Sequence, residues 1–110
     1  MLTENLAKTA KQRFVFELEN NIPEEGNFEK IICSEILPNG YYAEFSLSSM
    51  NPDKGVVVSV TAKKEGRIHT VYLFRGPAKK AECWLLETDE KEFSEKAEKA
   101  VFECESFYYP

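Results

Sequence analysis

The chain has 110 residues, of which 43% are hydrophobic and 30% charged, a composition typical of one folded domain and not of a disordered chain. Eight Phe, five Tyr and one Trp supply the large apolar side chains that a single core needs. The net charge of −5 argues against nucleic acid as a partner, because phosphate backbones repel an acidic domain.

The charges fall into blocks along the sequence. Residues 17–53 carry eight acids against one base, a net charge of −7, and residues 82–110 carry nine acids against three lysines, a net charge of −6. Between them, residues 54–80 carry seven bases against Glu65, a net charge of +6. We therefore expect attraction to basic partners, with a local basic patch contributed by the middle block.

Several classes of protein are disfavoured by simple features. No apolar stretch approaches the ~20 residues of a membrane-spanning helix, and the first residues lack the basic and then apolar pattern of a secretory signal. We therefore expect a cytoplasmic protein that does not bind membranes. Cys33, Cys83 and Cys104 each lie within an apolar pattern, which predicts buried free thiols and neither a disulfide framework nor a metal site. We expect no cofactor.

The first predicted element is a helix. Thr3 is a candidate N-cap, and the apolar residues that follow it recur on one helical face. Residues 14–19 fit either a continuation of this helix to Asn20 or a short strand, and the stop signal at residues 20–23 favours the longer helix. The apolar face consists of Leu6, Ala7, Ala10 and Phe14.

From Phe28 the apolar pattern changes to a period of two, which predicts strands. Three strands over residues 28–37, 41–48 and 56–62 are separated by Pro38-Asn39-Gly40 and by a Pro-containing break. A fourth strand, over residues 67–75, is apolar on both faces at residues 71–74, which predicts a central, covered position for its second half. Residues 83–86 form a short apolar run that predicts a fifth strand.

The last predicted element is a helix that begins after Asp89, where Asp89 and Glu92 have the spacing of a capping box. Its apolar stripe is Phe93, Ala97, Ala100, Val101 and Cys104.

The order of elements predicts a single α+β domain over residues 1–110. In it, an N-terminal helix, a five-stranded antiparallel meander and a C-terminal helix pack together, with the last helix on the sheet. The alternative is a pleckstrin-homology-like curled sheet with a C-terminal helix, which requires residues 14–19 to be a strand.

Phe102 falls on the opposite face of the last helix from the apolar stripe. It is surrounded there by mostly acidic residues and followed by an aromatic tail, and an exposed aromatic among like charges has the chemistry of a protein-binding hot spot. The predicted partner is therefore a basic protein. The candidate partner-binding residues are Phe102, Glu95, Glu98, Glu105, Tyr108, Glu24, Glu25 and Glu29.

These features predict a non-enzymatic, acidic protein-binding domain. Immunity proteins, which neutralise a basic toxin such as a nuclease by blocking its cleft, have a similar general appearance, and the likeness is one of size and charge without a shared motif. The alternative is a dimeric chaperone or adaptor, in which Phe102 lies in a homodimer seam.

Catalysis and nucleic-acid binding have weaker support in the sequence. His69 is the only histidine in the sequence, so a multi-histidine zinc site is excluded. A Cys-His hydrolase, a remote alternative, requires His69 to lie beside Cys33 or Cys83. A basic and aromatic set resembles a single-strand-binding surface, but we expect its aromatics to be used in the core. The set is Lys63, Lys64, Arg67, Arg75, Lys79, Lys80, Tyr72 and Trp84.

Overall fold

A computed structural model describes residues 4–22, 27–37, 40–50 and 55–108. The strands described form one antiparallel sheet in the order β1-β2-β3-β4, so the α+β class and the antiparallel meander are confirmed. The elements are α1 (Glu4–Asn20), β1 (Glu29–Ile36), β2 (Tyr42–Met50), β3 (Gly55–Lys64), β4 (Arg67–Pro77), α2 (Ala78–Glu87) and α3 (Glu90–Tyr108).

The first helix continues through residues 14–19, as the longer of the two predicted alternatives requires. The pleckstrin-homology-like arrangement needs a strand at this place and is therefore not supported. Phe14 is fully buried, four residues after the equally buried Ala10, so the predicted apolar face is the face that packs. The side-chain ammonium of Lys11 donates to the carbonyl of Thr88, which ties this helix to the junction of α2 and α3. The predicted cap, Thr3, lies outside the described residues.

The predicted fifth strand is wrong, because residues 83–86 lie within α2. A short apolar run fits a buried strand and a buried helical turn equally well. The helical signal lies one turn earlier, where Ala81 and Leu85 are four residues apart and both fully buried. Pro77 stands at the N-cap of this helix, and the amide of Thr88 donates to the carbonyl of Trp84 at its end.

The fourth strand lies at an edge of the sheet, so the predicted central position of its second half is also wrong. Tyr72 is 62% exposed, whereas Leu73 is buried. The run of four apolar residues at positions 71–74 is explained by a β-bulge. Val58 pairs with Phe74 and Ser59 pairs with Tyr72, so Leu73 has no partner on β3. This extra residue turns its side chain into the core.

The opposite edge strand carries a bulge as well. In β1, Ile31 pairs with Ser46 and Cys33 pairs with Phe45, so Ile32 is the extra residue, and its side chain is buried. Each edge strand of the described sheet therefore adds one apolar side chain to the core at a break in its own regular pairing.

Positive backbone φ angles occur in two hairpin turns of the described structure. They are expected at the two glycines, whereas Glu65 is a residue type that rarely takes this conformation. Glu65 and Gly66 form the β3–β4 turn with φ of 49° and 83°. Gly40 has a φ of 86° before β2, and Pro38 and Asn39 of the same predicted turn lie outside the described residues. Left-handed φ values at both central residues match the twist of a two-residue hairpin.

All three helices pack on one face of the sheet, around a cluster of aromatic rings. Phe45 of β2 lies 6.2 Å from Phe14 of α1 and 5.8 Å from Phe93 of α3, measured between ring centroids. Trp84 of α2 stacks on Phe74 of β4 at 5.5 Å and also contacts Phe93 at 6.3 Å. Each of these helices is thus joined to the sheet through an aromatic contact, and no helix of the described residues lies on the other face of the sheet.

The N-terminus of α3 is capped as predicted, since the amide of Glu92 donates to Oδ1 of Asp89 at 2.8 Å. Replacing Asp89 with alanine is expected to lower the free energy of unfolding by about 1 kcal/mol, because the amide then has only water as a partner. Urea denaturation followed by far-UV circular dichroism measures the loss. The control is Asp89→Ser, which keeps a capping oxygen and should retain most of the stability; equal losses in the two variants would contradict the capping role.

Candidate protein-binding surface

Phe102 projects from the outer face of α3. The residues that pack this helix on the core, Phe93, Ala97 and Cys104, are all fully buried, whereas the Phe102 side chain is 71% exposed. Phe102 lies nine residues after Phe93, which is two and a half turns of an α-helix, so the two rings point in opposite directions. The outward position of Phe102 follows directly from the geometry of a regular helix.

The surroundings of Phe102 on the helix are mainly acidic. Glu98 lies one turn before it and Glu95 two turns before it, on the same side of the helix, and Lys99 lies three residues before it. Glu95 and Lys99 are exposed, and Glu98 is half-buried. The helix as a whole carries six glutamates and three lysines, a net charge of −3. The outer face of α3 thus presents one large ring on a helix of net negative charge.

The structure does not bring all of the candidate partner-binding residues together. Glu29 is exposed on β1, next to Lys30, whose ammonium turns towards α1 and lies 3.2 Å from Oε2 of Glu17. Because neighbouring strand residues point to opposite faces, Glu29 lies on the helix-free face, away from Phe102. Glu24 and Glu25 lie outside the described residues, as do the side chains of Glu105 and Tyr108. We name the set formed by Glu95, Glu98, Lys99 and Phe102 the α3 surface.

The predicted basic and aromatic set is divided between two sides of the molecule. Tyr72 lies on the helix-free face of the sheet, where the guanidinium of Arg75 sits 5.5 Å from its ring centroid. Trp84 lies on the helical side, partly buried between Phe74 and the ammonium of Lys96. These residues therefore do not form the single stacking surface that a nucleic-acid strand would need.

The cysteines and the histidine are also distributed over the fold. His69 on β4 lies 3.0 Å from Oε2 of Glu103 on α3, measured from its Nε2. Cys33 lies on the opposite edge strand, roughly 14 Å away at three strand spacings of ~4.8 Å, so it does not meet His69. The prediction that all three thiols are buried holds for Cys104, but Cys33 is half-buried, and for Cys83, which is exposed on α2, the prediction is wrong.

Alkylation should distinguish the three thiols. Partial burial raises the pKa of the Cys33 thiol above its usual value, an effect that the charge of Arg13 opposes and that of Glu35 reinforces. We expect iodoacetamide at neutral pH to modify Cys83 first, Cys33 slowly and Cys104 only after denaturation, because the thiolate is the reacting form and access limits the other two. Peptide mass spectrometry against time measures the order, and rapid labelling of Cys104 in the folded protein would contradict it.

Metal-binding clusters and membrane-spanning helices are not found in the part of the chain described. No group of three or more His, Cys, Asp and Glu side chains among these residues is arranged to hold a metal ion. Within the same ranges, no helix combines the length and the apolar character needed to cross a bilayer.

Comparison with known proteins gives no relative from which a function could be transferred. Neither a scan of protein-family models nor searches of curated proteins and solved structures found a match to this chain. The function must therefore be inferred from the chain's own surfaces.

Proposed function

We propose that this protein is a non-enzymatic, acidic binding domain that engages a basic protein partner through the α3 surface. The observation that carries the proposal is the 71% exposure of Phe102 on a helix whose opposite face buries Phe93, Ala97 and Cys104 completely. Burying an exposed ring of this size in a complex contributes roughly 1.5–3 kcal/mol from the apolar area removed from water. Phe102 is accordingly the anchor of the proposed contact.

The charges around Phe102 support a basic partner. Glu95 and Glu98 accompany the ring on a helix of net charge −3, within a chain of net charge −5. A negative field of this kind accelerates encounter with a positive surface and disfavours acidic partners. Rim charges contribute more to association rate and selectivity than to affinity, so the ring and the carboxylates have separate roles.

The type of partner that best fits these properties is a protein with a basic cleft, such as a nuclease toxin. In this proposal the protein acts as an immunity or inhibitor protein, in which the carboxylates of Glu95 and Glu98 occupy positions that phosphate groups would otherwise take. Binding then blocks the cleft without any chemical step by this chain. Size, net charge and the α3 surface support this function, and the proposal requires no cofactor.

The experiment is affinity capture of the native partner with the full chain as bait, at low and high salt. We expect the captured protein to be basic and to be released as salt rises, because the Debye length falls from about 10 Å at 0.1 M to about 3 Å at 1 M. Mass spectrometry identifies the partner, and an in vitro assay of its activity with and without this protein tests inhibition.

A pair of double variants provides the matched control for this experiment. Glu95→Lys with Glu98→Lys should abolish capture, whereas Glu19→Lys with Glu35→Lys makes the same change in net charge at exposed positions elsewhere and should preserve it. Capture of an acidic protein, salt-independent capture, or equal losses in the two double variants would contradict the proposal.

A further inference from the structure

The helix-free face of the sheet, which we name the open face, carries four of the seven large apolar side chains that are exposed in the described structure. Ile31 and Ile36 of β1 are 60% and 73% exposed, and Ile68 and Tyr72 of β4 are 56% and 62% exposed. On each edge strand the two apolar side chains are separated by one exposed polar residue of the same face, Ser34 on β1 and Thr70 on β4. A sheet face that meets water normally carries polar side chains, so four large exposed apolar side chains on one face indicate a covered surface.

The two inner strands carry small side chains over one half of the open face. Ser46 and Ser59 are only 7% and 6% exposed, although no helix among the described residues covers them. Towards the other end of the face the same strands carry the larger side chains of Tyr42 and Lys63. At the serine half, the large side chains of the edge strands are therefore the parts that a partner would reach first.

The charges of the open face are balanced and ordered. Its acids, Glu29 and Glu44, lie on β1 and β2, and its bases, Lys63 and Arg75, lie on β3 and β4, so the face has no net charge within a chain of −5. Two copies of the chain repel each other over most orientations, and this neutral face avoids that repulsion. A face with acids on one half and bases on the other is electrostatically complementary to itself.

The strand register aligns these residues in rows across the sheet. Glu29, Ser48, Val57 and Arg75 form the first row, from β1 to β4. Ile31 and Tyr72 are the ends of the second row, and Ile36 and Ile68 are the ends of the last. Three of the four rows therefore have complementary ends: an acid and a base in the first, and two large apolar side chains in the second and the last. The third row ends in two small polar side chains, Ser34 and Thr70.

We propose that the open face is a homodimer interface, in which a second copy packs face to face about a twofold axis parallel to the strands. Such an axis places each row over the same row of the partner subunit, with the order of the strands reversed. Strand β1 therefore lies over the partner's β4. Glu29 then meets Arg75 of the partner subunit, Ile31 meets Tyr72 of the partner subunit, and Ile36 meets Ile68 of the partner subunit. Aligned sheets pack within about 30° of each other, which keeps the edge strands over their counterparts.

The other face-to-face arrangement fits the residues less well. A twofold axis across the strands places β1 over the partner's β1 with the row order inverted, so Glu29 meets Ile36 of the partner subunit and Arg75 meets Ile68 of the partner subunit. Each contact then buries a charge against an apolar side chain, which is costly. The row pattern therefore selects the axis parallel to the strands.

The size of the open face sets the expected strength of the dimer. Four strands spaced ~4.8 Å apart and about eight residues long at ~3.3 Å each give roughly 500 Å² per copy. The total of about 1,000 Å² is at the lower limit for a specific interface. We therefore expect a concentration-dependent dimer with a dissociation constant of about micromolar order.

Sedimentation velocity of the wild-type protein from about 1 to 500 μM tests the proposal directly. We expect a shift from monomer to dimer across this range, and a weakening of at least tenfold for Ile36→Asp, because a carboxylate would be buried in the interface. The control is Phe16→Asp, which places the same charge at an exposed apolar residue on α1 and should leave the dimer intact. Circular dichroism verifies that each variant is folded.

Charge reversal tests the direction of the axis. Glu29→Arg and Arg75→Glu should each weaken the dimer about tenfold or more, and the double variant should recover most of the wild-type affinity because the pair is restored with opposite polarity. A wild-type chain that stays monomeric at 500 μM would overturn the proposal. So would a dimer disrupted by Phe16→Asp and not by Ile36→Asp, or a double variant no stronger than its parents.

Discussion

Replacing Phe93 with alanine is expected to lower the free energy of unfolding by about 3–5 kcal/mol, the largest effect of any change considered for this fold. Phe93 is fully buried and lies between Phe45 of the sheet, Phe14 of α1 and Trp84 of α2. Removing its ring takes away the aromatic contacts of α3 with α1, α2 and β2 and leaves a cavity among them. Since a domain of this size has a total stability of about 5–15 kcal/mol, this loss could unfold it.

Urea denaturation followed by Trp84 fluorescence and by far-UV circular dichroism measures this effect. The matched control is Phe102→Ala, the same substitution on the same helix at a ring that is 71% exposed, which we expect to change stability by less than about 0.5 kcal/mol. Similar losses at the two positions would show that the outer ring also packs within the monomer, in conflict with its exposure.

Replacing Phe102 with alanine is expected to weaken binding to the basic partner by about 2 kcal/mol or more, roughly 30-fold, while the protein stays folded. The loss should appear mainly in the dissociation rate, because the ring provides short-range packing. Glu95→Gln should instead reduce the association rate and its dependence on salt, because that carboxylate contributes to long-range attraction.

Calorimetry and stopped-flow kinetics with the captured partner measure these two changes. Phe16→Ala is the control, since Phe16 is another aromatic of similar exposure, 58%, on a different helix. If the Phe102 variant binds the partner with unchanged affinity, Phe102 is not the anchor of the contact, even if the partner proves to be basic.

The elements predicted correctly from the sequence are those with long and regular patterns. The buried faces of α1 and α3 and the alternation in β2 and β3 depend on local geometry, and tertiary packing preserved them. The run at residues 83–86 is too short for its period to separate a helical turn from a strand. Its helical state becomes evident only when Leu85 of the run is paired with Ala81, which lies one helical turn earlier and is also buried.

The open face could not be predicted because it depends on a bulge. Ile31 and Ile36 are five residues apart, so a regular strand would place them on opposite faces. The extra residue Ile32 shifts the alternation by one, and both isoleucines then lie on the open face. No residue in this part of the sequence indicates the bulge, because Ile32 is β-branched and a regular strand would accept it as well.

The α3 surface could be predicted in part, because it depends on one helix and not on a change of strand register. Phe102, Glu95 and Glu98 belong to one helix, so their relative positions follow from sequence spacing without knowledge of the rest of the fold. Glu29 belongs to a different element, and its separation from Phe102 is set by which face of the sheet the helices cover. Proximity between elements is a property of the assembled core, and spacing along the chain does not encode it.

The two bulges also limit how large an assembly of this protein can grow. An outer strand that is regular and flat presents a row of unpaired amides and carbonyls on which further chains can be added in register. Here the bulges at Ile32 and Leu73 interrupt that row on both edge strands of the sheet. Further chains therefore cannot add to either edge by continuous backbone hydrogen bonding. Concentrated solutions of the folded protein should therefore resist fibril formation, and association through the open face stops at two chains because each copy has one such face.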